Sequence, residues 1–165
     1  MKKLLILGAG QYGMVTKETA EAMNCFQRID FLDDKHPAAI GKLEDYASFR
    51  EQYTHAVVAM GNPVLRLQWL DKLAEAGFSL PVLIHPRAYV APSATLGEGS
   101  IVEPMAVVNT AARVGKGCLI CAGCVINHNS CVGDGCQIDC NSVVPGSGQV
   151  PSGTKVHCAS VFHNE

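Results

Sequence analysis

Nothing in this sequence comes near the roughly 18 consecutive apolar residues that a membrane-spanning helix requires, so no membrane is expected as a partner. An export segment is missing by the same standard. The opening Met1-Lys2-Lys3-Leu4-Leu5-Ile6-Leu7 has the charge and apolarity of one, but its apolar run ends after four residues at Gly8-Ala9-Gly10, too short for the core of a signal peptide. There is no Lys/Arg-rich run either, and the net charge is -2, so neither nucleic acid nor an anionic surface is expected to bind. The eight cysteines, without an export signal, are read as free thiols of a reducing cytoplasm and not as a disulfide framework.

What is present is a rhythm. Stepping by six from Ile84 meets Val90, Leu96, Val102, Val108, Val114, Ile120, Ile126, Val132, Ile138, Val144, Val150, Val156 and Phe162 without a miss. Four residues after each aliphatic position stands a small one, from Ala88 and Ala94 through Cys118, Cys124 and Cys136 to Ser160. This is the hexapeptide signature of a left-handed parallel β-helix. Each hexapeptide supplies one flat strand and one corner of a triangular coil, with the aliphatic residue inside and the small one placed where the chain turns. Residues 18 apart then stack in neighbouring coils. A domain boundary follows: residues 1–83 before the solenoid, 84–165 within it.

The first 83 residues read as a small Rossmann-like α/β domain of three or four parallel strands. A buried strand, 2–7, runs into Gly8-Ala9-Gly10-Gln11-Tyr12-Gly13 and a helix over 14–24. A G-x-G-x-x-G loop between strand and helix lets the backbone approach a phosphate at the positive end of the helix dipole. A second strand, 28–32, ends in Asp33-Asp34. A third, 54–60, ends in Gly61-Asn62-Pro63, which starts a helix running to Gly77. Nucleotide ligands are expected outside the C-terminal ends of these strands; one reading is a nicotinamide oxidoreductase, with Asp33 or Asp34 on the ribose hydroxyls, and another is a structural glycine loop that binds nothing.

The two halves in this order resemble the bacterial nucleotide-sugar acyltransferases of the left-handed β-helix class, which include N-acetyltransferases of UDP-linked amino sugars and sialic acid O-acetyltransferases. The resemblance is carried by the glycine loop, Phe31-Leu32-Asp33-Asp34, Gly61-Asn62 with Arg66 beyond it, His85-Pro86, and Asn127-His128-Asn129 before Val132-Gly133-Asp134. It implies an acetyl-CoA-dependent sugar N- or O-acetyltransferase that uses no metal and assembles as a homotrimer, with the acyl donor between adjacent β-helices. For the acceptor it implies contacts from Gly8, Gly10, Gln11, Tyr12, Gly13, Asp33, Asp34, Gly61, Asn62 and Arg66. For the chemistry it implies His128 as general base with Asn129 beside it, and Gln137 and Gly146 on the donor.

The chain departs from the family pattern at three places. Asn129 stands where a carboxylate often follows the histidine, Gln137 where some members have a second histidine, and His157-Cys158-Ala159-Ser160 in place of Gly-x-Pro-Ala. These departures keep a catalytically silent trimer, binding a nucleotide sugar or serving as a scaffold, as the alternative.

Other positions have plainer readings. By position alone His128, third in its hexapeptide, reads as a solvated corner residue in preference to a base, and the resemblance reverses that preference. Arg66 either reaches a phosphate or is a solvated helix residue. His85 helps the chain enter the solenoid. His36, His55, His157 and His163 are read as surface residues, and Trp69 and Leu70 as core. The two C-x-x-C spacings in Cys118–Cys124 carry no metal expectation, because the repeat turns Cys118 and Cys124 inward.

Overall fold

The structure is a computed structural model that describes residues 2–164, and it divides at Pro81 and Val82 into two compact units. In the first, β1 (Lys3–Leu7), β2 (Arg28–Leu32), β3 (Ala39–Gly41) and β4 (His55–Val58) form one parallel sheet in the order β3-β2-β1-β4. Leu4, Leu5, Ile6 and Leu7 are all fully buried, the continuous apolar run expected of a parallel strand covered on both faces. The chain passes from β1 out to β3 and returns to β4 on the other side of β1. The direction of winding therefore reverses between β1 and β4, the place where ligands of open α/β sheets collect.

Helix α1 (Gln11–Ala22) begins three residues earlier than the sequence suggested and stops two earlier. Gly10 is extended and acts as its N-cap, so the second half of the glycine loop is already helix. Asn24, at φ 50°, bends the chain away at the other end. Helix α2 (Pro63–Glu75) starts as expected. Asn62 Oδ1 accepts the Leu65 N–H at 3.0 Å, and Pro63 needs no amide partner in the first turn. Strand β3 and the 3-10 helix Leu43–Phe49 were not foreseen. Both are short and lack a clear hydrophobic period.

The second unit is a solenoid of thirteen two-residue strands, from Leu83–Ile84 to Lys155–Val156, each ending on the aliphatic position. Successive strands fall in turn on three parallel sheets. One holds Thr95–Leu96, Arg113–Val114, Cys131–Val132 and Gln149–Val150. A second runs from Leu83–Ile84 through Leu119–Ile120 to Gln137–Ile138 and Lys155–Val156. The third holds Tyr89–Val90, Val107–Val108, Val125–Ile126 and Val143–Val144. Every pairing joins residues 18 apart, as in Val114↔Val132, so the expected coil length is the observed one.

The aliphatic and small positions together form one core, with Val108, Ile120, Ile126, Ile138 and Val144 fully buried beside Cys118, Cys124 and Cys136. Each such aliphatic side chain contributes about 1.5–3 kcal/mol before chain entropy is subtracted. One expectation needs correction. The small fifth residue does not make the turn; the fourth does. Residues 99, 105, 111, 117, 123, 129, 135, 141, 147, 153 and 159, all fourth in their hexapeptides, have φ between 54° and 73°. One edge fills this position with glycine throughout, at 99, 117, 135 and 153, whereas the others also use Met105, Ala111, Asn129, Asn141, Ser147 and Ala159.

Candidate active site

In the first unit, two loops meet at the C-terminal ends of the neighbouring strands β1 and β4. Two glycines of the first loop are required by the fold. Gly8 sits at φ 98°, and a side-chain carbon on Gly13 would stand 2.3 Å from the Gly8 carbonyl oxygen. Gly10 and Gly61 are different, because a Cβ on either would meet nothing within 4 Å. Packing does not demand a glycine there. What their bareness leaves open is backbone, one on each side of the winding reversal, and Gly10 brings no side chain to cap the first turn of α1. Gln11 is exposed and Tyr12 half-buried beside it.

Asp33 ties this loop in place. Its Oδ2 accepts the Ala9 N–H at 2.9 Å, and its Oδ1 accepts those of Lys35 and His36 at 2.9 and 3.0 Å. The Ala9 amide, ahead of the other two, holds the carboxyl below the usual range for an aspartate. Asp34 likewise accepts the Leu43 N–H at 3.1 Å. Both acids therefore organise backbone around the β2 end, a role the sequence reading did not foresee.

Arg66 departs furthest from expectation. It is fully buried, and its Nη1 donates to the carbonyls of Met60 at 2.5 Å and Gly61 at 3.1 Å. It is not a solvated helix residue; it pins from below the loop that carries Gly61. His55 is also misplaced by the sequence reading. It is half-buried, its ring lies edge-on to Phe26 with centroids 5.9 Å apart, and burial lowers its pKa. His85 behaves as expected, its Nδ1 accepting the Arg87 N–H at 3.0 Å in the first turn of the solenoid.

In the second unit, His128 stands exposed at the edge between the third sheet and the first. The chain beneath its ring is fixed on several sides. Its N–H donates to Asn127 Oδ1 at 2.8 Å, and that oxygen also receives Asn109 Nδ2 at 3.3 Å from the preceding coil. Its carbonyl accepts the Ser147 N–H at 2.9 Å, and the Asn129 N–H reaches Thr110 O at 2.9 Å. Asn109 was missed by the sequence reading, although its 18-residue spacing from Asn127 signals the stack.

The imidazole is seated on Gly146, one coil further on. A Cβ at 146 would lie 2.8 Å from Cε1, 2.9 Å from Nε2 and 3.4 Å from Nδ1 of His128. Only a residue without a side chain leaves room for the ring. Asn129 closes the other flank, with Nδ2 3.2 Å from His128 Nδ1. The structure thus gathers His128, Asn129 and Gly146. It does not bring Gln137 to them: Gln137 lies on the second sheet, which faces away from the His128 edge within the same chain.

All eight cysteines are free thiols. Cys118 and Cys136 donate to the carbonyls of Gly133 and Pro151, each at 3.1 Å. Desolvation, ahead of Glu103, pushes the Cys124 thiol up to about 12, so it packs as a small apolar residue. Among the described residues, no group of three or more His, Cys, Asp or Glu could hold a metal ion, and no helix is long and apolar enough to cross a membrane.

Residues 3–73 match the PglD N-terminal domain family. The chain is 31% identical over 111 residues to UDP-N-acetylbacillosamine N-acetyltransferase of Bacillus subtilis (strain 168), a match covering 62% of this chain but only 51% of that relative. Perosamine N-acetyltransferase of Caulobacter crescentus, solved as a mutant in complex with CoA and GDP-perosamine, shares the fold with a TM-score of 0.69 at 23% identity, over 98% of this chain and 91% of that one. The acetyltransferase domain of PglB from Neisseria gonorrhoeae FA1090, in complex with acetyl coenzyme A, superposes with a TM-score of 0.85 at 30% identity, covering 98% of this chain and 91% of that domain. With a PglD N-terminal domain at its front and this identity across nearly the whole of both chains, the protein belongs to the PglB-like acetyltransferases of the left-handed β-helix class.

Proposed function

We propose that the protein transfers the acetyl group of acetyl-CoA to the amine of a nucleotide-linked amino sugar, with His128 as general base. The observation that carries this reading is the imidazole held over Gly146 at an open edge of the solenoid, in a chain 30% identical to an acetyltransferase domain solved with acetyl-CoA. The amine nitrogen attacks the thioester carbonyl carbon. As the C–N bond forms, Nε2 of His128 takes the amine proton. The C–S bond then breaks, and the imidazolium returns the proton to the sulfur of CoA. The base is worth roughly 10²- to 10⁴-fold in rate.

The nucleotide of the acceptor is assigned to the first unit, between the loops at Gly10–Tyr12 and at Gly61, whose bare backbones suit phosphate and ribose oxygens. Asp33, Asp34 and Arg66 support that site by shaping its loops. Gln137, across the coil from His128, serves a donor site only if a second copy presents it. A homotrimer would do so, and one outward column favours packing of copies. Tyr89 is 54% and Val161 49% exposed, with half-buried Val107, Val125 and Val143 between them, an apolar strip along the sheet next to the His128 edge. A cytoplasmic location, where acetyl-CoA is supplied and thiols stay reduced, fits this reading.

The test is release of free CoA from acetyl-CoA in the presence of UDP-, GDP- and CMP-linked amino sugars, with mass analysis of the sugar product. Wild type acetylates at least one acceptor, and His128→Ala lowers kcat by about 10²-fold or more. Turnover that survives the substitution removes His128 as base. Acceptor binding without turnover on any sugar supports the silent nucleotide-sugar-binding alternative.

A further inference from the structure

We propose that Cys140 and Cys158 close a reversible disulfide between neighbouring coils, a redox switch at the corner between the second and third sheets that does not depend on the acetyltransferase reading. Two pairs of cysteines stand 18 residues apart, Cys118 with Cys136 and Cys140 with Cys158. The first pair points into the core. Both of its thiols are fully buried, and each is already hydrogen-bonded to a backbone carbonyl. The second pair stands on the corner, each cysteine third in its hexapeptide, with Cys140 half-buried and Cys158 exposed. Only the second pair can meet a dissolved oxidant.

The backbone holds these two corners in register from both sides. Before them, Ile138 pairs with Val156, and the Asp139 N–H donates to Val156 O at 3.0 Å. At them, the Ala159 N–H donates to Cys140 O at 2.9 Å, and after them Val143 bridges to Val161. Neighbouring strands run about 4.8 Å apart, which puts the two Cα atoms inside the span of about 4.4–6.8 Å that a disulfide bridges. The side chains meet as well. Against the opposing effect of burial, the Cys140 amide and then the Cys158 thiol hold the Asp139 carboxyl below the usual aspartate range. The Cys158 sulfur therefore lies back over the preceding coil. Cys121, the third thiol of this edge, is buried, and desolvation, ahead of Glu103, pushes it up, so it stays protonated and out of the exchange.

In-register neighbours hold their Cβ atoms about 1 Å further apart than a relaxed disulfide prefers. The bond therefore carries strain, and a strained, exposed disulfide is readily reduced. That separates a switch from a permanent staple. The gap can close because Lys155–Val156 is the outermost strand of its sheet, with none beyond it among the described residues. The Cys158 thiolate attacks a sulfur of glutathione disulfide and displaces one glutathione, and the Cys140 thiolate then attacks Cys158 Sγ and displaces the second. Two thiol protons and two electrons leave the chain, and the two glutathione molecules carry them away. Oxidation secures the rung that carries Val161, the exposed end of the apolar strip.

The full chain is equilibrated in buffers of reduced and oxidised glutathione, quenched with acid, alkylated at its remaining thiols and mapped by peptide mass. Expected is a single product, a Cys140–Cys158 link two hydrogens lighter than the dithiol, which reverts when reduced glutathione is restored. Cys140→Ser should instead accumulate glutathione on Cys158, and Cys158→Ser should leave Cys140 largely unmodified. Backbone amides of residues 155–162 should exchange about 10-fold more slowly in the oxidised wild type, well inside what closing such a loop supplies, and neither serine variant should show the slowing. The proposal is overturned if wild type stops at a glutathione adduct on Cys158, if the link joins other cysteines or two chains, or if reduced glutathione fails to open it.

Discussion

The two units spend their residues differently. In the first, each important contact is made once: Asp33 to Ala9, Arg66 to Met60 and Gly61, Gly13 against Gly8. In the second, the same contact recurs every 18 residues, and the backbone at each corner is the same whether the residue is glycine, alanine, asparagine or methionine. The lesson is about where function shows. In the α/β unit a functional residue hides among structural ones, because almost every position is particular. In the solenoid the repeat sets a baseline, and the site is the place where two residues of one column, His128 and Gly146, answer to each other and not to the repeat.

The sharpest way to break this contrast is Arg66→Met in the first unit. It leaves two loop carbonyls without their buried donor, and a loss of about 3 kcal/mol is expected. Urea unfolding followed by Trp69 fluorescence reads it, since Trp69 packs against the core of that unit. A loss below 1 kcal/mol would mean that the contact is not unique after all. Next is Gly146→Ala. The added methyl displaces the imidazole, and kcat should fall about 10- to 100-fold, the size of a mispositioned base, while stability changes little because the corner itself does not need glycine. Equal damage to folding would place Gly146 among the structural glycines.

A smaller effect comes from Ala111→Gly, which relieves a left-handed residue with a side chain. A gain of about 1 kcal/mol in thermal unfolding is expected. No gain would mean that the stacking of coils already absorbs the strain. The smallest is a pH effect. Asp33 has a lowered pKa in the folded chain, through the Ala9 amide first. Its contribution is therefore present above the unfolded value, near 4 for aspartate, and is lost as pH falls through the lower folded value. Acid titration of unfolding should show the first unit losing stability below about pH 4, and Asp33→Asn should flatten that slope. An unchanged slope would take Asp33 out of the clamp.

Much of this was legible in advance, and the parts that were not have definite reasons. The solenoid could be read because one aliphatic residue per six is a requirement of its core. The left-handed corners could not, because six of the eleven carry side chains of no common type. Arg66 was misjudged, yet its burial has a signal: Arg66, Leu70 and Leu73 follow each other at helical spacing, and all three are buried in α2. Gln137 was grouped with His128 by resemblance, but nine residues are half a coil. That arithmetic alone sets them on opposite sides. That Gly146 seats a ring went unforeseen because no sequence pattern states which side chain leans over a glycine.

The rotation of the second unit by one sheet per hexapeptide limits how its length can drift. A deletion of six residues ahead of His128 and within the solenoid would leave every core position apolar and carry the imidazole around to a different edge, away from the preceding coil's Asn109 and Thr110 that hold its backbone. Only changes of eighteen return it to its own edge. A genome can therefore lengthen or shorten such a chain cheaply as a fold, while as an enzyme it is confined to whole coils.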